Sequence, residues 1–431
     1  MSTSSPTHPK RVALVDAYSM GNQLVPALNR HGVECVHVRS PHPDVHTVKL
    51  KFPDGFIGDV RHDGDVAATA SALREWGVSC VLAGGESGVE LTDQLSAALG
   101  TPGNGMTRPT SRRNKYEMVL ALRDAGMVHA ATIVSSDADE IIEWAEATTG
   151  YPIILKPVAS SGRDNVVACA SPEEVRTNHK RITSTTDRVG KPNTVVLAQE
   201  FLDGDEYFVN TVSRDGMHHT VEIWRYFKRR IAGGHTIHDY TEPLAPDDPN
   251  ARKLEAYAHQ VLDALEIRNG ASHAEIMLTA KGPVLVECAG RAGGGVVPEI
   301  LSRSLGANQI DLLALSVAEP DEFNRLPTSV YRLLRHIRFV NLVNLGDHGV
   351  APSQEAMAGI RALPSCAHIV LMHQEGSPLT RTVDFATQPG YVFLISDDLA
   401  ELRADYEKLR EIEQDLYAGG PDREPAEGVR A

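Results

Sequence analysis

Two glutamates, Glu275 and Glu287, lie in a pair of apolar segments that the sequence predicts to form a β-hairpin. If the turn between them is centred on Lys281, the two glutamates are opposite each other and their side chains point to the same face. Two carboxylates that close repel each other unless a cation lies between them. Mg²⁺ is the usual cation where carboxylates share a site with nucleotide phosphates. The pattern therefore predicts a magnesium site, and two solvated surface glutamates are the alternative.

A glycine-rich segment containing Arg291, Gly294 and Gly295 follows Glu287 directly. Glycines let backbone N–H groups approach an anion closely, and the helix predicted to follow would add the positive end of its dipole. A guanidinium group matches the geometry of a phosphate or a carboxylate. The segment therefore predicts a cradle for a carboxylate substrate or an acyl phosphate. A flexible loop with a surface arginine is the alternative.

Lys156 ends a short apolar strand and precedes a turn that contains Ser160, Ser161 and Gly162. One point charge with nearby hydroxyl and backbone donors suits nucleotide phosphates. The turn is not a Walker motif, since GxxxxGK[ST] is absent, and the chain has no strong GxGxxG. Lys115, at the start of a predicted helix, is a weaker signal of the same kind. Taken singly, each lysine could equally be a solvated surface residue.

Polar residues elsewhere predict contacts to nucleotide and substrate. Glu206 follows a strand and a turn, where a carboxylate could accept hydrogen bonds from two ribose hydroxyls. Further along, cations, histidines and aromatic residues suit an amino acid or another small anion. The residues expected to contact substrate are Arg225, His235 and His238, with Glu86 of the N-terminal region. The alternative for Glu206 is an acidic surface turn, and the alternative for the later residues is an exposed basic strand and loop.

The elements that must position these residues are of mixed type. Residues 1–105 alternate strands and helices, which indicates a Rossmann-like α/β unit with a parallel sheet. The region 125–205 is predicted to form a small lid, and 206–295 is rich in strands. A helical segment is expected over 296–318. Strands near 330–343, 366–373 and 391–395 and a helix over 398–416 are predicted next, and the tail from 419 is predicted to be disordered.

Composition limits the class of function. The chain has 431 residues, and its net charge of −15 argues against nucleic acid or an anionic membrane as the main partner. The five cysteines form no CxxC pair, which argues against zinc and disulfides and favours a reducing compartment. There is neither an apolar signal segment nor a run of apolar residues long enough to span a membrane. We therefore expect a cytoplasmic protein with small-molecule partners.

The order of these motifs resembles the ATP-grasp superfamily, and most closely its carboxylate–amine ligases of the L-amino acid ligase (dipeptide synthase) group. The resemblance extends over residues 12–345. It implies an α/β ATP-grasp fold with an N-terminal Rossmann-like domain, a small lid, a central antiparallel-sheet domain and a C-terminal α+β extension. The expected domains are 1–110, 111–205, 206–330 and 331–418, followed by the tail 419–431.

The same resemblance assigns roles to individual residues. It implies that Lys115 and Lys156 contact the ATP phosphates, under a lid loop formed by Ser160, Ser161 and Gly162. It places Glu200 and Leu202 at adenine, Glu206 at ribose, and Glu275 and Glu287 at Mg²⁺. Arg291 would stabilise the transferring phosphoryl group. One departure is Ala289, where many members of the family have Asn. It leaves the number of magnesium ions at one or two, with Mn²⁺ as a substitute.

The implied reaction is the ATP-dependent joining of a carboxylate to an amine, through an acyl phosphate and with release of ADP and phosphate, by an enzyme expected to be a homodimer. Two rival functions use the same scaffold. One is carboxylation through carboxyphosphate, which would require bicarbonate rather than amino acids. The other is a non-catalytic ATP-binding protein with a regulatory role, which would bind nucleotide without producing ADP.

Overall fold

The computed structural model describes residues 9–18, 20–41, 54–159, 165–187, 190–231, 236–295, 297–385 and 387–417. The chain forms two compact units, Met1–Arg225 with Leu244–Leu333 and Tyr226–Pro243 with Leu334–Ala431. The predictions for Ser160, Ser161, Gly162, His235 and the tail 419–431 lie outside the described residues. No helix in the described part of the chain is long and apolar enough to cross a membrane.

A parallel sheet forms the N-terminal part of the first unit. Its elements are β1 (Arg11–Val15), α1 (Gly21–Arg30), β2 (Glu34–Arg39), β3 (Phe56–Arg61), α2 (Val66–Glu75), β4 (Cys80–Ala83) and α3 (Val89–Leu99). The strand order is β3-β2-β1-β4, and all three pairings are parallel. Four of the five residues of β1 are fully buried, as expected for a parallel strand covered on both faces. The predicted Rossmann-like arrangement is confirmed.

A small antiparallel sheet with two helices forms the lid of the first unit. After α4 (Lys115–Asp124), its elements are β5 (Thr132–Ser135), α5 (Ala138–Thr148), β6 (Ile153–Lys156), β7 (Val167–Cys169), α6 (Pro172–Thr183) and β8 (Val196–Glu200). The strand order is β5-β8-β6-β7. Ile141, Leu155, Val175 and Val196 are fully buried in a core of its own. This core fixes β6, and with it the position of Lys156 at the end of that strand.

Long antiparallel strands complete the first unit. The elements are β9 (Gly204–Arg214), β10 (Met217–Arg230), α7 (Pro249–Ala264), β12 (Gly270–Thr279), β13 (Gly282–Ala289), α8 (Pro298–Leu305), α9 (Gln309–Ala318) and α10 (Pro320–Phe323). The strand order is β13-β12-β9-β10, and β10 leaves the first unit after Arg225. The helical segment predicted over 296–318 consists of two helices. Gly306, at φ 70°, ends α8, and the Asn308 side chain caps α9 by accepting a hydrogen bond from the backbone N–H of Asp311.

The second unit has a core of its own. Its further elements are β11 (Thr236–Pro243), β14 (His336–Asn341), β15 (His348–Val350), α11 (Ala358–Arg361), β16 (Cys366–Leu371), β17 (Pro378–Thr380), β18 (Gly390–Ser396) and α12 (Leu399–Leu416). The strands β11, β14, β18 and β16 lie side by side in that order. The predicted strands near 366–373 and 391–395 and the helix over 398–416 are confirmed within a few residues, and the strand predicted near 330–343 is shorter, at His336–Asn341. Residues 226–243 belong to this unit, and the predicted domain boundaries stay predictions.

Candidate active site

Glu275 and Glu287 are directly opposite each other on β12 and β13. Thr279 pairs with Gly282, so the turn is the dipeptide 280–281 rather than a loop centred on Lys281. A regular hairpin with the observed two-residue turn would place Glu275 opposite Val286, and Glu287 would then point to the other side of the sheet. A β-bulge at Val286 shifts the register by one residue and brings the two carboxylates together. The predicted pairing is therefore present, but the bulge produces it.

Lys156 approaches the carboxylate pair at this bulge. Its Nζ atom lies 3.0 Å from Oε1 of Gln199 and 3.5 Å from the backbone oxygen of Val286, which is the extra residue of the bulge. The lysine is only 3% exposed. Burial, followed by the neighbouring Lys115 charge, lowers the pKa of Lys156 to about 8, although Glu287 and other carboxylates oppose the shift. The site thus contains a desolvated ammonium group, which binds an anion more strongly than a hydrated one does.

Lys115 contacts the same carboxylate pair from α4. Its Nζ atom lies 2.8 Å from Oε2 of Glu287, and both side chains are largely buried. The side chain of Asn114 caps α4 by accepting hydrogen bonds from two backbone N–H groups, which fixes the position of Lys115 at the first turn. Two lysines and two glutamates, from the lid region and the central sheet, therefore meet in one place.

Arg291 is held by a carboxylate of the N-terminal region. Its Nε atom lies 2.7 Å from Oε2 of Glu86, and Nη1 of Arg113 lies 2.8 Å from the other oxygen, Oε1. Burial raises the pKa of Glu86, but Arg291, Arg113 and Lys115 lower it to about 2. Two arginines paired with one carboxylate leave an excess of positive charge, which suits a further anion. Arg113 was not predicted as a functional residue.

Close packing at two glycines, Gly84 and Gly88, fixes the position of Glu86. It begins a short turn, Glu86–Gly88, between β4 and α3. A Cβ atom on Gly84 would lie 2.6 Å from the backbone of Ala17, and one on Gly88 would lie 2.5 Å from the backbone oxygen of Val15. Only glycine allows the turn to pack this closely against the end of β1. The chain can therefore bring Glu86 to Arg291, which is 205 residues later.

The glycine segment after Arg291 is fixed to the sheet by Gln309. This buried side chain accepts a hydrogen bond from the backbone N–H of Gly293 at 2.8 Å. Its amide group donates to the backbone oxygens of Thr211 and Ser272. Gly294 has no atom within 4 Å of an added Cβ, and Gly295 has a φ of 71°. The segment is thus anchored at Gly293, while Gly294 has open space beside it.

We predict that Gly293→Ala lowers the turnover rate substantially, because the new Cβ atom would lie 2.9 Å from Nδ2 of Asn210 and 3.2 Å from Nδ1 of His273. Either the buried Asn210 side chain or the loop that carries Arg291 must then shift. Arg291 is expected to stabilise the transferring phosphoryl group, and small displacements of such a positioned group are costly in catalysis. ADP release in a coupled assay measures the effect. Gly290→Ala is the matched control, since its Cβ would make an ordinary 3.4 Å contact with Val89. Equal activity of the two variants would contradict the prediction.

The other predicted residues occupy varied positions. Glu200 ends β8, and Glu206 lies on β9 near enough to Lys156 to affect its pKa. Leu202 lies in the connection between these strands. Arg225 pairs with Asp205 at 2.5 Å, and His238 lies in the second unit with its ring stacked on that of Tyr226. The functional roles of these residues stay predictions.

The described residues contain no group of three or more His, Cys, Asp or Glu side chains arranged to hold a metal ion. The pair of Glu275 and Glu287 is therefore not a complete protein cage. Mg²⁺ is typically bound in proteins through one or two carboxylates, with substrate phosphates and water as the other ligands. The carboxylate pair, opposed by lysine ammonium groups that can meet phosphates, has the donor set expected for Mg²⁺ together with a nucleotide.

Known proteins are similar to this chain in sequence. A family model described as "ATP-grasp domain" matches residues 149–299. The chain is 30% identical to dapdiamide A synthase of Enterobacter agglomerans over 420 residues, which cover 94% of this chain and 96% of that protein. It is 27% identical to the L-arginine-specific L-amino acid ligase of Bacillus subtilis over 213 residues, about half of each chain.

Solved structures share the fold. The L-amino acid ligase of Bacillus licheniformis superposes with a TM-score of 0.72 at 19% identity, over 94% of this chain and 98% of that chain. N5-carboxyaminoimidazole synthetase of Staphylococcus aureus, complexed with ADP, superposes with a TM-score of 0.66 at 14% identity, over 94% and 98%. Because the sequence match to the synthase extends along nearly the whole of both chains, this chain belongs to the ATP-grasp family, among the ATP-dependent ligases that form carbon–nitrogen bonds and include the L-amino acid ligases.

Proposed function

We propose that the protein joins the carboxylate of one amino acid or related acid to the amine of another, through an acyl phosphate, and releases ADP and phosphate. The observation that supports this most strongly is the pair of Glu275 and Glu287, aligned by a bulge and flanked by Lys115 and Lys156. A relative named as an L-arginine-specific L-amino acid ligase supports amino-acid substrates.

In this proposal Glu275 and Glu287 hold one or two Mg²⁺ ions, for which Mn²⁺ can substitute. When bound, the ion neutralises phosphate charge as a Lewis acid. Lys115 and Lys156 bind the nucleotide phosphates, and Lys156 is preorganised by Gln199 and the bulge carbonyl. Glu200 and Leu202 contact adenine, and Glu206 contacts ribose. The loop of Ser160, Ser161 and Gly162 is proposed to lie over the phosphates.

The reaction needs positioning and charge stabilisation more than covalent catalysis by the protein. A substrate carboxylate oxygen attacks the γ-phosphorus of ATP, and the bond to ADP breaks. The amine nitrogen then attacks the acyl carbon, loses a proton, and displaces phosphate. Arg291, oriented by Glu86, stabilises the negative charge on the transferring phosphoryl group and on the departing phosphate. Because the lysines and Arg291 are already held in place, little reorganisation is needed during the reaction.

The proposed substrate contacts begin with the charged residues beside Arg291. The excess positive charge at Glu86, Arg113 and Arg291 suits the carboxylate of the acyl donor. Gly294 has open space beside it in the segment that follows Arg291, and Gly295 is proposed to contact substrate with it. Arg225, His235 and His238 are proposed to contribute to recognition of the second substrate. A homodimer remains the expected assembly.

A phosphate-release screen over amino acids, singly and in pairs, tests the proposed function. Mass analysis of the mixtures identifies the amide product. The proposal predicts ADP and phosphate only when a carboxylate and an amine partner are both present. ADP release that depends on bicarbonate without amino acids would favour carboxylation instead. Nucleotide binding without ADP production across the whole screen would favour a non-catalytic role.

The lowered pKa of Lys156 predicts a pH dependence of nucleotide binding. Below pH 8 the ammonium group is charged and attracts phosphate, and above pH 8 the nucleotide-free protein loses this charge. The dissociation constant for ADP should therefore rise as the pH increases from about 7 to 9.5, by up to about tenfold per pH unit above the pKa. Calorimetric titration at several pH values measures it.

Two variants show whether Lys156 causes this dependence. Lys156→Met should bind ADP weakly with little change over the same pH range. Lys180→Met, which removes an exposed lysine on α6, should behave like the wild type. A wild-type dissociation constant that stays constant from pH 7 to 9.5 would contradict the assignment.

A further inference from the structure

A buried row of polar side chains crosses three strands next to the carboxylate pair. Glu222 on β10 is the strand partner of Asn210 on β9, and Asn210 is the partner of His273 on β12. A second β-bulge, at Val221, produces this alignment. The next row on the same face begins with Trp224 and ends with Glu275 and Glu287. The polar row therefore runs directly beside the proposed metal ligands, and no step of the mechanism above uses it.

The hydrogen bonds of this row converge on Glu222. The Nε1–H group of Trp224 donates to Oε2 of Glu222 at 2.9 Å, and the Nδ2 group of Asn210 donates to Oε1 of Glu222 at 2.6 Å. The amide oxygen of Asn210 must then face His273, and an oxygen can only accept. Nδ1 of His273 therefore donates to it at 2.7 Å. Its other ring nitrogen, Nε2, lies 3.4 Å from Oε1 of Glu275, and it donates to this oxygen when the ring carries a proton on both nitrogens.

The row also contacts the glycine segment. Asn210 and His273 are the groups that a Cβ atom on Gly293 would meet. Both side chains thus lie against the loop after Arg291, and His273 also meets the proposed metal ligand Glu275. A change in the orientation of Asn210 would be transmitted to both parts of the site.

Burial of Glu222, at the β10 end of this row, costs free energy. It is 1% exposed, and its hydrogen-bond partners, Asn210 and Trp224, are neutral. Burial raises the pKa of its carboxyl group. The two oxygens of a carboxylate accept hydrogen bonds from two donors at once, which the glutamine side chain cannot do because its NH₂ group is itself a donor. Glutamate, rather than its isosteric amide, is what fixes Asn210 in the observed orientation.

We propose that Glu222 is a positioning residue for the proposed metal site, acting through Asn210 and His273 to orient Glu275 and the glycine segment. This inference rests on the proposed function, since it assigns Glu275 to a divalent cation. The residues that orient metal ligands typically affect metal affinity by about 10- to 100-fold. Glu222→Gln should therefore weaken cation binding by about tenfold or more, because the Asn210 amide must rotate and present its NH₂ group to His273.

A reciprocal exchange provides the matched variant. In the double variant Glu222→Gln with Asn210→Asp, the glutamine oxygen can accept from Trp224 and its NH₂ group can donate to the aspartate. The second aspartate oxygen can still accept from Nδ1 of His273, so the order of donors and acceptors is restored with the same net charge. The double variant should therefore recover most of the affinity lost in Glu222→Gln. Glu143→Gln, on the exposed face of α5, is the control for the chemical change alone.

The experiment measures Mn²⁺ binding in the presence of a non-hydrolysable ATP analogue, from the electron paramagnetic resonance signal of free Mn²⁺, with thermal unfolding of each variant alongside. Weakened binding in Glu222→Gln and recovery in the double variant support the inference. If the wild type binds Mn²⁺ and a folded Glu222→Gln variant binds it equally tightly, the inference is overturned and the proposed function still stands. No Mn²⁺ binding by the wild type overturns the proposed function itself. If Glu222→Gln does not fold, weak binding by the folded double variant overturns the inference, and tight binding supports it.

Discussion

Glu287→Gln is expected to reduce the rate of ADP release by about a thousandfold, because several kcal/mol of transition-state stabilisation by a metal ion corresponds to that factor. Glutamine has nearly the same shape, but it lacks the charge that a divalent cation requires. The variant also removes the ion pair between Glu287 and Lys115, whose ammonium lies 2.8 Å from Oε2. Nucleotide binding that depends on Mg²⁺ should therefore weaken together with turnover.

Steady-state ADP release and Mg²⁺-dependent nucleotide binding measure this loss. The fold should persist, because Glu287 is partly exposed and contributes no apolar side chain to the core of the unit. A thermal unfolding curve verifies this. Glu143→Gln makes the same change on the exposed face of α5 and should leave the rate unchanged. Activity of the Glu287→Gln variant within a few-fold of the wild type would rule out Glu287 as a metal ligand.

Arg291→Met is expected to lower the turnover number by about 10²- to 10³-fold, the usual effect of removing one preorganised donor to developing charge. Unlike the glutamate variant, it should retain nucleotide binding, because the phosphates would still meet Lys115 and Lys156. Arg291 uses Nε toward Glu86 and Nη1 toward the backbone oxygen of Ala292, and Nη2 makes no hydrogen bond to any described residue. That group is the one expected to contact the transferring phosphoryl group.

A loss of turnover without a loss of nucleotide binding distinguishes a catalytic role of Arg291 from a structural one. Single-turnover rates and nucleotide dissociation constants should be measured on the same preparation. Arg291→Lys should recover little, since an ammonium group cannot reproduce the guanidinium fork. Arg303→Met, an exposed arginine on α8, is the control. An Arg291→Met variant that loses nucleotide binding and turnover to the same extent would contradict the assignment.

Local sequence patterns predicted much of the fold. Apolar runs gave the parallel strands of the N-terminal sheet, since such strands are buried on both faces. The break between α8 and α9 was not predicted, although Gly306 followed two residues later by Asn308 is a typical end and start of helices. The helix α5 was missed, although Asp137 and the apolar spacing after it are a recognisable start.

The central feature of the site was predicted from a turn position that the structure corrects. A loop centred on Lys281 pairs Glu275 with Glu287 directly, whereas the observed turn does so only with the bulge at Val286. Nothing in the type of Val286 distinguishes it from its apolar neighbours, so the sequence could not reveal the bulge. The consequence is functional, because the bulge also supplies the carbonyl near Lys156.

Contacts between distant parts of the chain were the least accessible from sequence. Arg113 stands two residues before Lys115, and it could have been noticed as a second cation beside a predicted phosphate contact. Its meeting with Glu86 and Arg291 depends on the packing of three separate elements. The row from Glu222 to His273 likewise depends on the strand order β12-β9-β10, which local periodicity does not specify.

Transfer of oxygen from substrate to phosphate tests the acyl-phosphate mechanism most directly. The acid identified in the phosphate-release screen is labelled with ¹⁸O in its carboxylate, and the released phosphate is analysed by mass spectrometry. The proposed mechanism predicts phosphate with one ¹⁸O atom and an amide product that keeps the other. Release of ¹⁸O-labelled AMP with pyrophosphate would contradict the mechanism. Release of phosphate that carries no ¹⁸O would contradict it as well.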